Sequence, residues 1–197
     1  EGSSVQEAVL TSLEEDIENL RETIRSLDPA RTQQAVEMIL AARHIFIVAF
    51  DNAAATANVF AHRLDLAGRY ARIVDNGGGM LSASRALSRF TAEDLVIAIA
   101  FPRYMRETVE LTRAVHRRGI PILSITDNQS SPLASLGTLT LYVRSRRTFS
   151  STSDTAILAL LEALAAGVAA KSPKAAEAAQ QFADFAYPWL ISPETRR

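Results

Sequence analysis

The sequence predicts a three-layer αβα domain built on a five-stranded, all-parallel sheet. Three observations carry this. Short, mostly apolar runs recur at residues 44–49, 70–74, 95–100, 120–125 and 139–143, as expected of strands buried on both faces. Segments with helical periodicity separate most of them, so the strands are joined by crossovers, which parallel pairing requires. Gly68 and Gly119 stand where a helix must end before the next strand begins. This alternation predicts the strand order 2-1-3-4-5, with its switch point between strands one and three.

Residues 4–27 read as a helix. Leu10, Leu13, Ile17, Leu20, Ile24 and Leu27 recur at spacings of three and four and fall on one stripe. Glu14, Glu15, Asp16, Glu18 and Glu22 lie mostly off it, as a solvated face would. The stripe fits either packing on its own domain or pairing with a partner subunit. Asp28 and Pro29 supply an N-cap and a first helical residue for a second helix reaching Ala42. Residues 1–42 are thus expected to form an N-terminal helical extension to a domain over residues 43–197. There, helices are expected at 53–67, 80–89, 104–118, 152–171 and 173–186. Turns are expected at Asp51-Asn52, at the glycine-rich residues 76–79 and at 131–136.

With 197 residues, 48% of them hydrophobic, the chain can bury a core as one domain. A net charge of −1 excludes a global field that recruits nucleic acid or an anionic membrane. The absence of cysteine excludes disulfides and thiolate chemistry. No apolar run reaches spanning length, so a soluble, cytoplasmic protein without membrane contact is expected.

Ligands of open parallel sheets sit at the carboxyl ends of the strands. The predicted order sets the Asp51-Asn52 turn and the loop carrying Phe101, Pro102, Arg103 and Tyr104 face to face. Helices start at both loops and offer unpaired amides and positive dipole ends, which favours an anionic ligand. Arg103 either pairs with Glu107 one turn on or contacts the anion. Tyr104 either closes the pocket or packs on a neighbour. Asp51 and Asn52 either make an Asx turn or read ligand hydroxyls. Ser150, Ser151 and Thr152, ahead of the apolar helix, either cap it or contact the ligand. Arg144, Arg146 and Arg147 form either a solvated edge or a cluster that draws in an anion. His44, His62 and His116 fall away from the carboxyl edge, and no Ser/His/Asp, metal-ligand or Walker pattern occurs. Catalysis, cofactor and metal are not expected.

The residues 42–47 (ARHIFI), the helix end from Arg63-Leu64 to Gly68, and residues 94–134 carry a resemblance. Its most specific signature is Ser131-Pro132-Leu133-Ala134 after Thr126-Asp127. In order and spacing they resemble the SIS (sugar isomerase, flavodoxin-like) domain of RpiR-type transcription regulators, over about residues 8–170. The resemblance implies a phosphosugar-binding domain that follows a helix-turn-helix domain. No helix-turn-helix pattern occurs here, so DNA contact is expected only through a domain absent from this sequence. It also implies that the region Phe149 to Asp154 lies near the sugar. The chain departs from the family where the ligand sits. The first loop of the family reads Gly-x-Gly-x-Ser, and here Ala49, Asp51 and Ala53 stand at those positions. The second reads Ser-x-Ser-Gly-x-Thr, and here Ala100, Pro102 and Met105 replace the hydroxyls, while Arg103 and Tyr104 are gained. The expected function is the effector-sensing domain of an RpiR-like regulator. It would bind a phosphosugar or sugar acid as a homodimer or tetramer. A sugar-phosphate isomerase and a ligand-free dimerisation scaffold are the alternatives.

Overall fold

The computed structural model describes residues 4–73 and 79–187. Five strands, β1 (Ile45–Val48), β2 (Ala71–Ile73), β3 (Leu95–Ile99), β4 (Ile122–Thr126) and β5 (Leu139–Tyr142), form one sheet of order β2-β1-β3-β4-β5. Every pairing is parallel. The helices are α1 (Val5–Ser26), α2 (Pro29–Ala41), α3 (Asn52–Leu66), α4 (Gly79–Leu87), α5 (Arg106–Arg117), α6 (Asp154–Lys171) and α7 (Ala175–Ala186). This is the architecture the sequence predicts. β4 starts later than expected, because Pro121 has no N–H to donate to a ladder. α5 also starts later, at Arg106, because Tyr104 is held in the loop by Asp127. The expected turn at 76–79 lies mostly outside the described residues; Gly79 opens α4.

Strand side chains alternate between two cores. Ile45, Ile47, Leu95, Ile97, Ile99, Leu123 and Ile125 face one layer with α2, α3 and α6. Phe46, Val48, Val96, Ala98 and Ile122 face the other with α4 and α5. α6 turns Ile157, Leu160, Leu161, Leu164 and Val168 inward and is enclosed by α1, α2 and α3. The large apolar side chains of this helix are thus mostly used within the chain, while Ala163, Ala166, Ala169 and Ala170 stay exposed. Among the described residues no single helix is long and apolar enough to cross a membrane.

The element ends follow local chemistry. Ser4 and Glu7 form a capping box on α1, and Asp28 accepts from the amides of Ala30 and Arg31 at 2.8 and 3.2 Å ahead of α2. Gly68 closes α3 at φ +75°, with the Arg69 N–H bonded to Leu64 O and its own N–H to Asp65 O. A Cβ there would come within 2.9 Å of Lys174 Cβ, so glycine also lets the start of α7 approach.

At the amino edge of the sheet, Asp94 is 2% exposed and joins β1 to β3. Its carboxylate accepts from Arg43 Nε at 3.2 Å, Arg43 Nη2 at 3.1 Å and the Thr91 N–H at 2.7 Å, and it lies 2.9 Å from His44 Nδ1. Burial alone would raise its pKa; the bonds from Arg43, Thr91 and His44 outweigh that and hold it well below the ordinary 3.8. A depressed acid stabilises the fold fully above its unfolded pKa and loses that contribution as pH falls through the folded value. Asp94→Ala is expected to cost about 2–3 kcal/mol in urea unfolding at neutral pH. Stability should decline as pH falls below about 4, and this acid limb should flatten in Asp94→Asn.

Candidate functional site

The carboxyl edge of the sheet holds a cavity of about 300 Å³. The β1–α3 turn contributes Phe50, Asp51 and Asn52; the β3–α5 loop contributes Pro102, Arg103 and Met105; the start of α6 contributes Ser151, Thr152 and Asp154. Three helix N-termini therefore converge on one space. None of the three carries a side-chain cap: Asp51 before α3, Met105 before α5 and Ser153 before α6 make no capping hydrogen bond. The same chain caps α1 and α2 with Ser4 and Asp28, away from the cavity. Three uncapped positive dipole ends favour an anion between them.

Of the residues singled out from sequence, Asp51, Asn52, Arg103, Ser151 and Thr152 line this cavity. Tyr104 and Ser150 do not. The Tyr104 hydroxyl donates to Asp127 Oδ1 at 2.7 Å, and burial together with that carboxylate pushes its pKa up to about 12. Ser150 donates to Thr152 O at 2.9 Å. Arg103 is exposed and makes no ion pair with Glu107 or with any other described residue. His44, His62 and His116 all lie outside the cavity lining. Among the described residues, no group of three or more His, Asp or Glu side chains is placed to hold a metal.

Two polar lining residues stand outside the residues singled out as ligand contacts, Thr108 and, at the end of the 149–154 region, Asp154. Thr108, in the first turn of α5, is 1% exposed and its hydroxyl has no partner. Its position three residues beyond Met105, on the turn facing the sheet, was the available signal. Asp154 opens α6; burial raises its pKa, and Arg147 opposes the shift. The signature Ser131-Pro132-Leu133-Ala134 is structural. The Ser131 hydroxyl lies 2.6 Å from that of Thr126 and accepts from the Leu133 N–H, while Thr126 donates to Ala100 O at 2.7 Å. This ties the carboxyl ends of β3 and β4 together.

The arginine cluster is neither a free edge nor a free anion trap, and the acidic face of α1 is not merely solvated. Arg147 donates to Asp16 at 2.8 and 3.0 Å, with both side chains about 15% exposed or less. Arg146 reaches Glu22 at 3.1 Å and Arg144 reaches it at 3.4 Å. Buried Asn19 pairs with the Arg146 backbone in both directions, at 2.7 and 3.1 Å, and Thr23 accepts the Arg144 N–H at 3.0 Å. Glu15 accepts the Thr148 N–H at 3.1 Å; hydrogen bonds from Thr148 hold its pKa low. Asp16 also binds the hydroxyls of Ser153 and Thr155. The polar face of α1 thus clamps residues 144–155, which run into the cavity wall.

The apolar stripe of α1 divides. Leu20 and Leu27 pack on the core, whereas Leu10, Leu13, Ile17 and Ile24 stay 50, 56, 48 and 70% exposed.

Comparison with known proteins agrees with this geometry. The SIS domain model matches residues 38–167. The chain belongs to the SIS domain family. Among solved structures, this SIS domain is similar to the sugar isomerase domain of an RpiR transcription factor from Sphaerobacter thermophilus. The two share 29% identity at a TM-score of 0.83, over 90% of this chain and 98% of that one. The Vibrio vulnificus NanR protein, solved in complex with ManNAc-6P, shares the fold at 21% identity and a TM-score of 0.81. There the alignment covers 93% of this chain and 70% of that one. A curated relative, the isomerizing glutamine–fructose-6-phosphate aminotransferase of Pyrobaculum aerophilum, is 26% identical over 139 residues. That stretch is 70% of this chain and only 22% of the enzyme's length.

One feature of this SIS domain is costly. Asp51 adopts φ 55° and ψ −136°, a conformation that suits glycine. Holding an aspartate there costs about 1–3 kcal/mol. Asp51→Gly is expected to raise stability by about 1 kcal/mol in urea unfolding. A loss of stability instead would mean that the carboxylate makes compensating contacts.

Proposed function

We propose that this chain is the effector-sensing domain of an RpiR-like transcription regulator, binding a small anionic metabolite, a phosphosugar or a sugar acid, at the carboxyl-edge cavity. The observation that carries the proposal is the convergence of the three uncapped helix N-termini with an unpaired Arg103. The Vibrio vulnificus NanR protein, solved in complex with ManNAc-6P, shares this fold, and that supports the ligand class. Arg103 contacts the anion bidentately, doing with a guanidinium what the lost hydroxyls do elsewhere in the family. Asn52, Asp51, Ser151 and Thr152 read sugar hydroxyls.

The domain acts without catalysis in this proposal. Proton transfer between sugar carbons needs a positioned base and acid; among the described residues no histidine lines the cavity, and its two carboxylates are assigned in this proposal to sugar hydroxyls (Asp51) and to the first turn of α6 (Asp154). In the proposed division, residues 1–42 form a helical extension and an effector-binding unit begins at residue 43. The two share a core, since α2 buries Ala35, Val36 and Ile39 there. DNA is contacted through a separate helix-turn-helix domain, and the protein works in the cytoplasm. A ligand that repositions Ser151 and Thr152 pulls on residues 144–155 and, through Asp16, Asn19 and Thr23, on α1. Effector binding is thereby coupled to whatever α1 leads to.

Small molecules released from purified protein should be identified by mass spectrometry; a metabolite bound and recovered unchanged is the expected result, and turnover would favour an isomerase. Arg103→Ala is expected to weaken effector binding about 10- to 100-fold in calorimetry. Affinity equal to the parent chain would move the anion site elsewhere.

The exposed half of the α1 stripe is proposed to pair with a second copy in a dimer or tetramer. Light scattering at micromolar concentration should report at least a dimer, and Ile17→Glu should shift it to monomer. A monomeric parent chain would refute this pairing.

A further inference from the structure

We infer a second ligand site, for an organic anion with a flat apolar body, at the opposite, amino edge of the sheet. A cavity of about 380 Å³ lies there, between the starts of β1 and β2 and the last turns of α4. That volume falls in the range of small-molecule sites. Its walls join an apolar surface, including Ile45, Tyr70 and Phe90, to four arginines, Arg43, Arg72, Arg85 and Arg89, and among the described residues no acidic side chain lines it. Phe90 meets Phe46 in a T-shaped contact, with ring centroids 5.9 Å apart.

Three of these arginines lack a local explanation. Most of the described arginines are engaged, among them Arg31 on Thr140 O, Arg63 on Glu162, Arg113 on Glu110 and Arg147 on Asp16. Arg72, Arg85 and Arg89 have no hydrogen-bond or ion-pair partner among the described residues. Capping of α4 does not account for them, because Arg118 already donates to Leu87 O, Ser88 O and Phe90 O at 2.7, 3.0 and 3.0 Å. The neighbouring Arg43 is spent on Asp94 and Glu93. Three like charges around one apolar concavity repel each other unless an anion joins them. Guanidinium groups bind phosphate or carboxylate bidentately, and the rings of Tyr70 and Phe90 line the same cavity, where a planar group can pack. The ligand class is therefore an aryl or nucleobase-bearing phosphate or an aromatic carboxylate. This inference does not depend on what the carboxyl-edge cavity binds.

AMP is a suitable probe, with phenyl phosphate as a smaller one and ribose 5-phosphate and adenosine as half-probes. Calorimetry on the full chain should show saturable AMP or phenyl phosphate binding. Ribose 5-phosphate and adenosine should bind at least about tenfold more weakly. Arg85→Ala and Arg89→Ala should each weaken AMP binding about tenfold or more. Arg103→Ala, in the other cavity, should leave it within about twofold. Both arginines are exposed, so thermal unfolding of these variants should match the parent chain and separate lost binding from lost fold. The site is overturned if neither AMP nor phenyl phosphate binds saturably, or if binding ignores Arg85 and Arg89. Loss of AMP binding in Arg103→Ala would reassign it to the effector cavity. Random-sequence duplex DNA held by the same arginines, with neither small probe bound, would make the patch a nucleic-acid surface and overturn the pocket.

Discussion

A parallel sheet must be covered on both faces, and the rest of this structure depends on that constraint. β1, β3 and β4 are buried along their whole length, with alternate residues feeding two separate cores. Side chains inside the layers are therefore mostly apolar, with Ser124, Thr56 and Thr112 among the exceptions, and the charged groups gather at the two rims and on the outer helix faces. At the carboxyl rim, helix starts converge on a cavity that holds Arg103, Asn52 and Thr152. At the amino rim, Asp94 is a closed, fully bonded hub, and beside it three arginines stand open. One rim therefore combines a finished network with an unfinished one, and only the second invites a ligand.

α1 is attached in an unusual way. A surface helix normally turns its apolar face to its own domain. Here the residues of α1 that are buried are Asn19 and Thr23, and the attachment is a ladder of side-chain bonds to the backbone and arginines of residues 144–148. Much of the apolar face stays outward. The ladder holds the segment that leads into Ser151 and Thr152, so α1 is joined to the cavity wall by directional bonds rather than by packing.

The fold was legible because its signals are local and repeated: buried runs, helical spacing, and glycine stops at 68 and 119. Strand order followed from the crossover pattern. The cavity was legible in outline for the same reason, since topology alone sets which loops meet. What the sequence concealed was pairing between distant segments. Ser12, Asp16, Asn19 and Thr23 recur at helical spacing, but nothing local says that their partners lie more than a hundred residues away. Tyr104 looked available for a ligand only because its bond to Asp127 joins two loops. Thr108 was overlooked because a threonine in the first turn of a helix usually has a satisfied hydroxyl.

The two faces of α1 respond to salt in opposite directions. Raising ionic strength from about 0.1 M to 1 M shortens the screening length from about 10 Å to about 3 Å. The outer rung, Glu22 with Arg146, has an arginine side chain 77% exposed and loosens first. The inner rung, Asp16 with Arg147, is sheltered and persists. The outward apolar stripe gains cohesion under the same conditions. The helix is thus hinged near its middle, at Asp16, and beyond that point the neutral bonds of Asn19 and Thr23 and the packing of Leu20 and Leu27 remain when the charges are screened.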